Sequence, residues 1–121
     1  MRQYEHHQQV LFFKWAAWKE SATPALRNLF AVPNGGQRHL LVAQKLKAEG
    51  VRAGVPDIFL ACPSGGKHGL FIEMKSEDGK LNDRQKEWQA RLEQAGYAWR
   101  LCRSMQEAVD TVEKYLEMEG K

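Results

Sequence analysis

Three stretches of the chain carry an acid, one intervening residue and a lysine: Glu73-Met74-Lys75, Asp78-Gly79-Lys80 and Glu119-Gly120-Lys121. On a β-strand this spacing has a consequence, because alternate side chains point to the same face. In GLFIEMK, residues 69–75, it places Leu70, Ile72 and Met74 on one face and Phe71, Glu73 and Lys75 on the other. The Cα atoms of Glu73 and Lys75 then lie roughly 7 Å apart. A preceding run, DIFLAC, carries Asp57, Phe59 and Ala61 on the matching face. With PSGGKH centring a hairpin near residue 66, Asp57 comes opposite Lys75 and Phe59 opposite Glu73. Direct and diagonal cross-strand neighbours are about 5 to 8 Å apart, so Asp57, Glu73 and Lys75 converge.

Two carboxylates this close repel, and a hard divalent cation relieves them. Mg²⁺ accepts one or two carboxylates while keeping several waters. A cation so held lowers the pKa of a bound water and stabilises charge on a phosphate. A nearby ammonium positions that water and offsets charge on the phosphorane. The chemistry implied is phosphodiester hydrolysis. The bland alternative is an ion-pair network at the end of a sheet. The other two triplets lack a strand: Asp78-Gly79-Lys80 falls in a glycine-containing turn, and Glu119-Gly120-Lys121 reads as a frayed tail.

The elements that must position these residues are readable from periodicity and punctuation. YEHHQQVLFFKWAAWKE is a helix with Tyr4, Gln8, Leu11, Trp15 and Trp18 at helical spacing. It is apolar on nearly every side between residues 10 and 18, so it either lies deep in the core or also contacts a second chain. NLFAVPN reads as a short strand stopped by Pro33, and Asn34-Gly35-Gly36 as a turn. RHLLVAQKLKAEG reads as a helix with Leu40, Ala43 and Leu46 towards the core and Gly50 as its stop. Pro56 favours extended backbone before Asp57. DIFLAC and GLFIEMK form the hairpin.

NDRQKEWQARLEQAG is a helix with Asn82 as its N-cap, a Trp88, Leu92, Ala95 stripe and Gly96 at its end. YAWRLCR is a strand. SMQEAVDTVEKYLEM opens on a Ser104–Glu107 capping box and turns Met105, Ala108, Val109, Val112 and Leu116 to the core. The order α-β-α-β-β-α-β-α predicts an α/β fold, a mixed sheet of about four strands flanked by helices.

GVPDIFL, a hairpin loop and FIEMK together resemble the PD-(D/E)xK nuclease signature. With PNGGQR, a helix ending KAEG and the K-x-x-x-G-x-L-x-x-x-Q spacing from Lys75 to Gln85, the chain is similar to the virus-type replication–repair nuclease (VRR-NUC) domain, from about Glu5 to Gly96. The resemblance implies a restriction-endonuclease-like fold that binds Mg²⁺, with Mn²⁺ as a substitute. It carries Asp57 and Glu73 over as metal ligands with the Met74 carbonyl beside them, and Lys75 as the catalytic lysine. Glu5 fits a further ligand from the first helix, or a first-turn glutamate favoured by the helix dipole. Gln85 matches a glutamine that follows the active-site strand, and it could equally close a capping box with Asn82; the two roles are compatible. Stand-alone phage or bacterial members resembling this chain imply a homodimeric four-way (Holliday) junction resolvase. A flap or single-strand nuclease, a non-cleaving DNA-binding module and a structural domain without nucleic acid are the alternatives.

The remaining features bound this reading. At 121 residues the chain fits one domain, 1–121, of ordinary composition. A net charge of +3 and a pI near 9.0 are compatible with an acidic partner such as nucleic acid, and the resemblance implies branched DNA. Arg38, Arg52 and Lys67 are candidate DNA-backbone contacts in loops or at a helix start. His6, His7, His39 and His68 show no metal-ligand pattern, though His39 or His68 could lie near phosphate. Cys62 and Cys102 sit in apolar runs and read as buried free thiols, which fits the cytoplasm, of a host if the chain is phage-encoded. No membrane span, signal peptide or small-molecule cofactor is expected.

Overall fold

The computed structural model describes residues 3–33 and 40–118; the Asn34-Gly35-Gly36 turn, Arg38, His39 and the Glu119-Gly120-Lys121 triplet lie outside them. The elements are α1 (Gln3–Lys19), a 3-10 turn (Pro24–Asn28), β1 (Leu29–Ala31), α2 (Leu40–Ala48), β2 (Ile58–Leu60), β3 (Leu70–Met74), α3 (Asp83–Gln94), β4 (Ala98–Cys102) and α4 (Met105–Glu117). This follows the expected alternation, with the 3-10 turn added after α1. The four strands form one sheet in the order β1-β2-β3-β4. β1 and β3 flank β2 antiparallel, and β4 runs parallel to β3. The parallel pair requires a crossover, and α3 supplies it, packing against β4.

The hairpin register departs from the expected one by two residues. Phe59 pairs with Phe71, not Glu73, and Ile58 pairs with Ile72. One step further out, Asp57 therefore stands across from Glu73 rather than Lys75. The cause lies at the tip. Ser64 and Lys67 bridge across Gly65-Gly66, whose φ angles of 57° and 81° form the mirror-image two-residue turn that suits strand twist. Between that bridge and the Leu60–Leu70 pair, the β2 side also spans one residue more than the β3 side.

One sheet face makes the core. Ile58, Leu60, Leu70, Ile72 and Met74 are buried there, covered by Phe12 of α1 and by Ala108, Val109, Val112 and Tyr115 of α4. The α4 stripe is the expected one, with Tyr115 added because its hydroxyl donates to the Cys62 carbonyl (2.6 Å) and buries the ring. In α1 the buried residues are Glu5, Phe12 and Ala16, whereas Trp18 is 75% exposed. In α2, Ala43 and Leu46 of the expected core face are not buried. Ala43 is exposed, Leu46 half-buried and Leu41 68% exposed, so this helix lies on the surface. Cys102 is buried and Cys62 half-buried, both as free thiols. No helix among the described residues is long and apolar enough to cross a membrane.

The opposite face carries a row of rings. Phe30 meets Phe59 edge-on at 5.6 Å, and Phe59 stacks on Phe71 at 4.3 Å. Two residues beyond these rings, on the same face, are the acidic groups.

Candidate active site

Asp57 is delivered by a loop whose shape is fixed on both sides. Gly54 has φ +91°, and a Cβ there would come within 2.9 Å of the Arg84 backbone, so only glycine lets the loop seat on the first turn of α3. The Val32 N–H donates to the Asp57 carbonyl (2.7 Å), tying the start of β2 to the end of β1. The Asp57 side chain then turns to β3, where its Oδ2 accepts from the Met74 N–H (2.8 Å). A strand residue presents its N–H and C=O on the same edge, so the Met74 carbonyl opens towards Asp57 as well.

Glu73 is buried at 4% exposure, and its Oε2 accepts from Gln85 Nε2 (3.2 Å). Lys75 follows on the same face, half-buried, with its N–H donating to the Cys102 carbonyl (3.0 Å). Glu5 enters from the first turn of α1, some seventy residues away in sequence. Its Oε2 accepts from the Ser76 N–H (3.1 Å) directly after Lys75. Five of the candidate side chains, Glu5, Asp57, Glu73, Lys75 and Gln85, are thus gathered at one end of the hairpin.

Their electrostatics follow from burial. Desolvation pushes the Glu73 carboxyl up to about 9, and the adjacent Asp57 charge adds to the rise. Desolvation also raises Asp57, against the Met74 N–H and a hydrogen bond from Glu73 that lower it. Lys75 lowers both and Glu5 raises both. One ammonium therefore does not balance a buried and a half-buried carboxylate, and the raised Glu73 carboxyl keeps its proton near neutrality. That is the electrostatic state a hard cation relieves. Among the described residues no three Asp, Glu, His or Cys side chains cluster closely enough to cage an ion by themselves. Two carboxylates and a carbonyl would leave most positions of an ion to water, a set that fits Mg²⁺ better than a metal needing an all-protein shell.

Gln85 does both things that its position allows. Its backbone N–H donates to Asn82 Oδ1 (2.9 Å) and its Oε1 accepts from the Asn82 N–H (3.0 Å), closing the capping box. Its Nε2 remains free for Glu73. The Asn82→Ala and Gln85→Ala variants should each lose roughly 1 kcal/mol of stability through the cap. Only Gln85→Ala is expected to lower cleavage by about tenfold, because only it releases the Glu73 carboxylate; melting curves and single-turnover rates of the two variants check this.

The basic candidates divide. Arg52 is exposed on the wall of an open cleft of about 430 Å³, with Val51, Val55 and Trp88, beside the loop that carries Asp57. Lys67 is at the hairpin tip, roughly 20 Å along the strand from Glu73. His68 faces the Tyr97 ring instead of the acids. Asp78 and Lys80 are exposed on the turn after β3, as expected of a triplet without a strand. Two contacts had no local signal in the sequence: the Met74 N–H on Asp57, and Arg103, whose guanidinium reaches the turn at residues 76–79.

The geometry now meets what is known of other proteins. The VRR-NUC domain profile matches residues 1–106. A solved structure described as a VRR_NUC domain protein superposes with a TM-score of 0.79 at 22% identity, over 98% of this chain and 93% of that one, which speaks for the fold. A comparison with curated proteins returns no match. The chain belongs to the VRR-NUC domain family, a family of nucleases.

Proposed function

We propose that this protein is a Mg²⁺-dependent, structure-selective DNA endonuclease that acts as a homodimer on four-way junctions. The observation that carries the nuclease reading is the facing pair of half-buried Asp57 and buried Glu73, with Lys75 on the same face. Asp57, Glu73 and the Met74 carbonyl would hold the ion. When bound, it supplies an activated water and neutralises charge on the phosphate. Glu5 shapes the field from the far side while holding the Ser76 amide. Lys75 orients the attacking water and offsets negative charge as it builds on the phosphoryl oxygens. Water attacks phosphorus, the bond to the departing sugar oxygen breaks, and the products are a phosphate monoester and a hydroxyl. Gln85 keeps the Glu73 carboxylate in one orientation throughout.

The dimer is supported by apolar surface that a lone protomer leaves open. On α1, Val10 and Trp18 are exposed beside a groove of about 400 Å³ lined by His6, Gln9, Phe13 and Ala17. A two-fold axis relating two such helices would present two sites to a symmetric junction. The test is cleavage of labelled four-way junction, flap and linear duplex in Mg²⁺ and in EDTA, with sedimentation of the same preparation. Junction cutting in Mg²⁺ alone by a dimer is the expected result. Cutting in EDTA would refute the metal mechanism. Preference for the flap would replace the junction, and a monomer that still resolves junctions would remove the dimer.

A further inference from the structure

The turn that follows Lys75 is held by a closed circuit of hydrogen bonds. Arg103, between β4 and α4, directs a single nitrogen, Nη1, at three carbonyls: Ser76 (2.6 Å), Gly79 (2.8 Å) and Glu77 (3.1 Å). Its own carbonyl accepts from the Tyr4 hydroxyl (2.8 Å). Tyr4 precedes Glu5 in α1, and Glu5 holds the Ser76 N–H (3.1 Å). The path Arg103–Ser76–Glu5–Tyr4 returns to Arg103. A second strap lies one turn along α1, where Gln8 Oε1 accepts from the Met105 N–H (2.7 Å). The Arg103 N–H is taken by Glu107 Oε1 (2.8 Å), so its backbone cannot follow the side chain if the turn moves.

Three carbonyl dipoles converging on one point repel unless a cation sits among them, and guanidinium stays charged at every working pH. The turn is thereby pinned at the Ser76 carbonyl, while the Lys75 and Ser76 N–H groups are fixed by Cys102 and Glu5. With the peptide groups on both sides of the Lys75 Cα fixed, the direction of its Cα–Cβ bond, and so the face from which the side chain starts, is set.

We propose that Arg103 is a positioning residue of the nuclease centre. It aligns Lys75 and Glu5 with Asp57 and Glu73 through the 76–79 turn, and Tyr4 acts through it. This rests on the nuclease reading above. Pinning matters at such a centre because a misplacement near 1 Å can cost on the order of 10²-fold in rate.

The variants are Arg103→Ala, Arg103→Lys, Tyr4→Phe and the Arg103→Ala/Tyr4→Phe double. Tyr4 is 43% exposed, so removing its hydroxyl leaves the core intact. Arg103→Ala should lower kcat on junction DNA by about 10- to 100-fold with KM within about twofold, and Arg103→Lys should restore part of it. Tyr4→Phe should lower kcat by about threefold alone and add nothing in the double variant. Amide hydrogen exchange of the metal-free protein should speed up at Ser76 in Arg103→Ala, and calorimetric Mn²⁺ binding should weaken several-fold. If kcat falls only in proportion to folded protein, with Ser76 exchange and Mn²⁺ affinity unchanged, Arg103 is a structural pin and the proposal fails. If wild type cuts no DNA, the nuclease reading fails instead, and the exchange and Mn²⁺ arms still decide whether the circuit positions the acids.

Discussion

Replacing Glu73 by glutamine is expected to reduce cleavage at least 10³-fold and yet to raise the melting temperature of the metal-free protein above neutral pH. The two effects share one cause. The carboxylate that a cation needs is, without the cation, a buried acid beside a second, half-buried one, where its charged form is disfavoured. Its folded-state pKa is lifted from 4.5 to about 9 by desolvation and by Asp57. Below pH 4.5 the group is protonated in both folded and unfolded chains and contributes no pH dependence. Between 4.5 and 9 the unfolded chain releases the proton while the folded chain retains it, so stability falls as pH rises through that window. Glutamine is permanently neutral and keeps an N–H to donate to Asp57, so this contribution vanishes. The metal-free wild type should therefore melt lower at pH 8.5 than at pH 5.5 by several degrees more than the variant does. Added Mg²⁺ should raise the wild type most at the higher pH, where the proton it must displace from Glu73 is held less tightly relative to solvent. Melting curves at the two pH values, with Mg²⁺ and with EDTA, check each sign. A variant that melts no higher than wild type at pH 8.5 would mean that the acids do not burden the fold as argued.

Lys75→Ala carries the second large effect, a loss of roughly 10² to 10³ in rate, the range for removing one preorganised electrostatic stabiliser. Here the metal-free fold should weaken instead of strengthen. Lys75 is a cation that lowers the proton affinity of both Asp57 and Glu73, and without it both acids titrate higher still. Stability of the variant should thus fall further than wild type as pH rises from 5.5 to 8.5. DNA binding in Ca²⁺ should stay within a few-fold of wild type, because one ammonium is a small part of a phosphate-binding surface. Gel-shift titration and single-turnover rates separate the two. Undiminished cleavage by the variant would remove Lys75 from the mechanism.

How far the site was legible depends on the range of the physics behind each part. Glu73 and Lys75 share a face because a strand repeats every two residues, and that rule needs no tertiary structure. Gln85 three residues after Asn82 is legible as a capping box for the same reason. The hairpin register was not, because a single extra residue on the β2 side of the tip moves every facing pair, and residue identity does not show which arm absorbs it. α2 was misread for a related reason. Periodicity shows that Leu40, Ala43 and Leu46 share a face of the helix, but not whether anything covers it. In α1, apolar nearly all round, no stripe stood out, and the fold selected Glu5, Phe12 and Ala16 for burial.

By itself, then, the sequence determined an α/β element order, a hairpin with a Pro-Asp at its entry and an acid and lysine on one face, and a family whose profile spans residues 1–106. These are local properties: alternation, capping and turn chemistry act over a few residues. Only the tertiary structure decided that Asp57 faces Glu73, that Glu5 holds the amide after Lys75, and that Arg103 and Tyr4 close a circuit around it. Those partners are 16, 71 and 99 residues apart, counted from Asp57 to Glu73, Glu5 to Ser76 and Tyr4 to Arg103. Contacts of that range are chosen by which faces pack to bury the core, and no short stretch of sequence carries that choice.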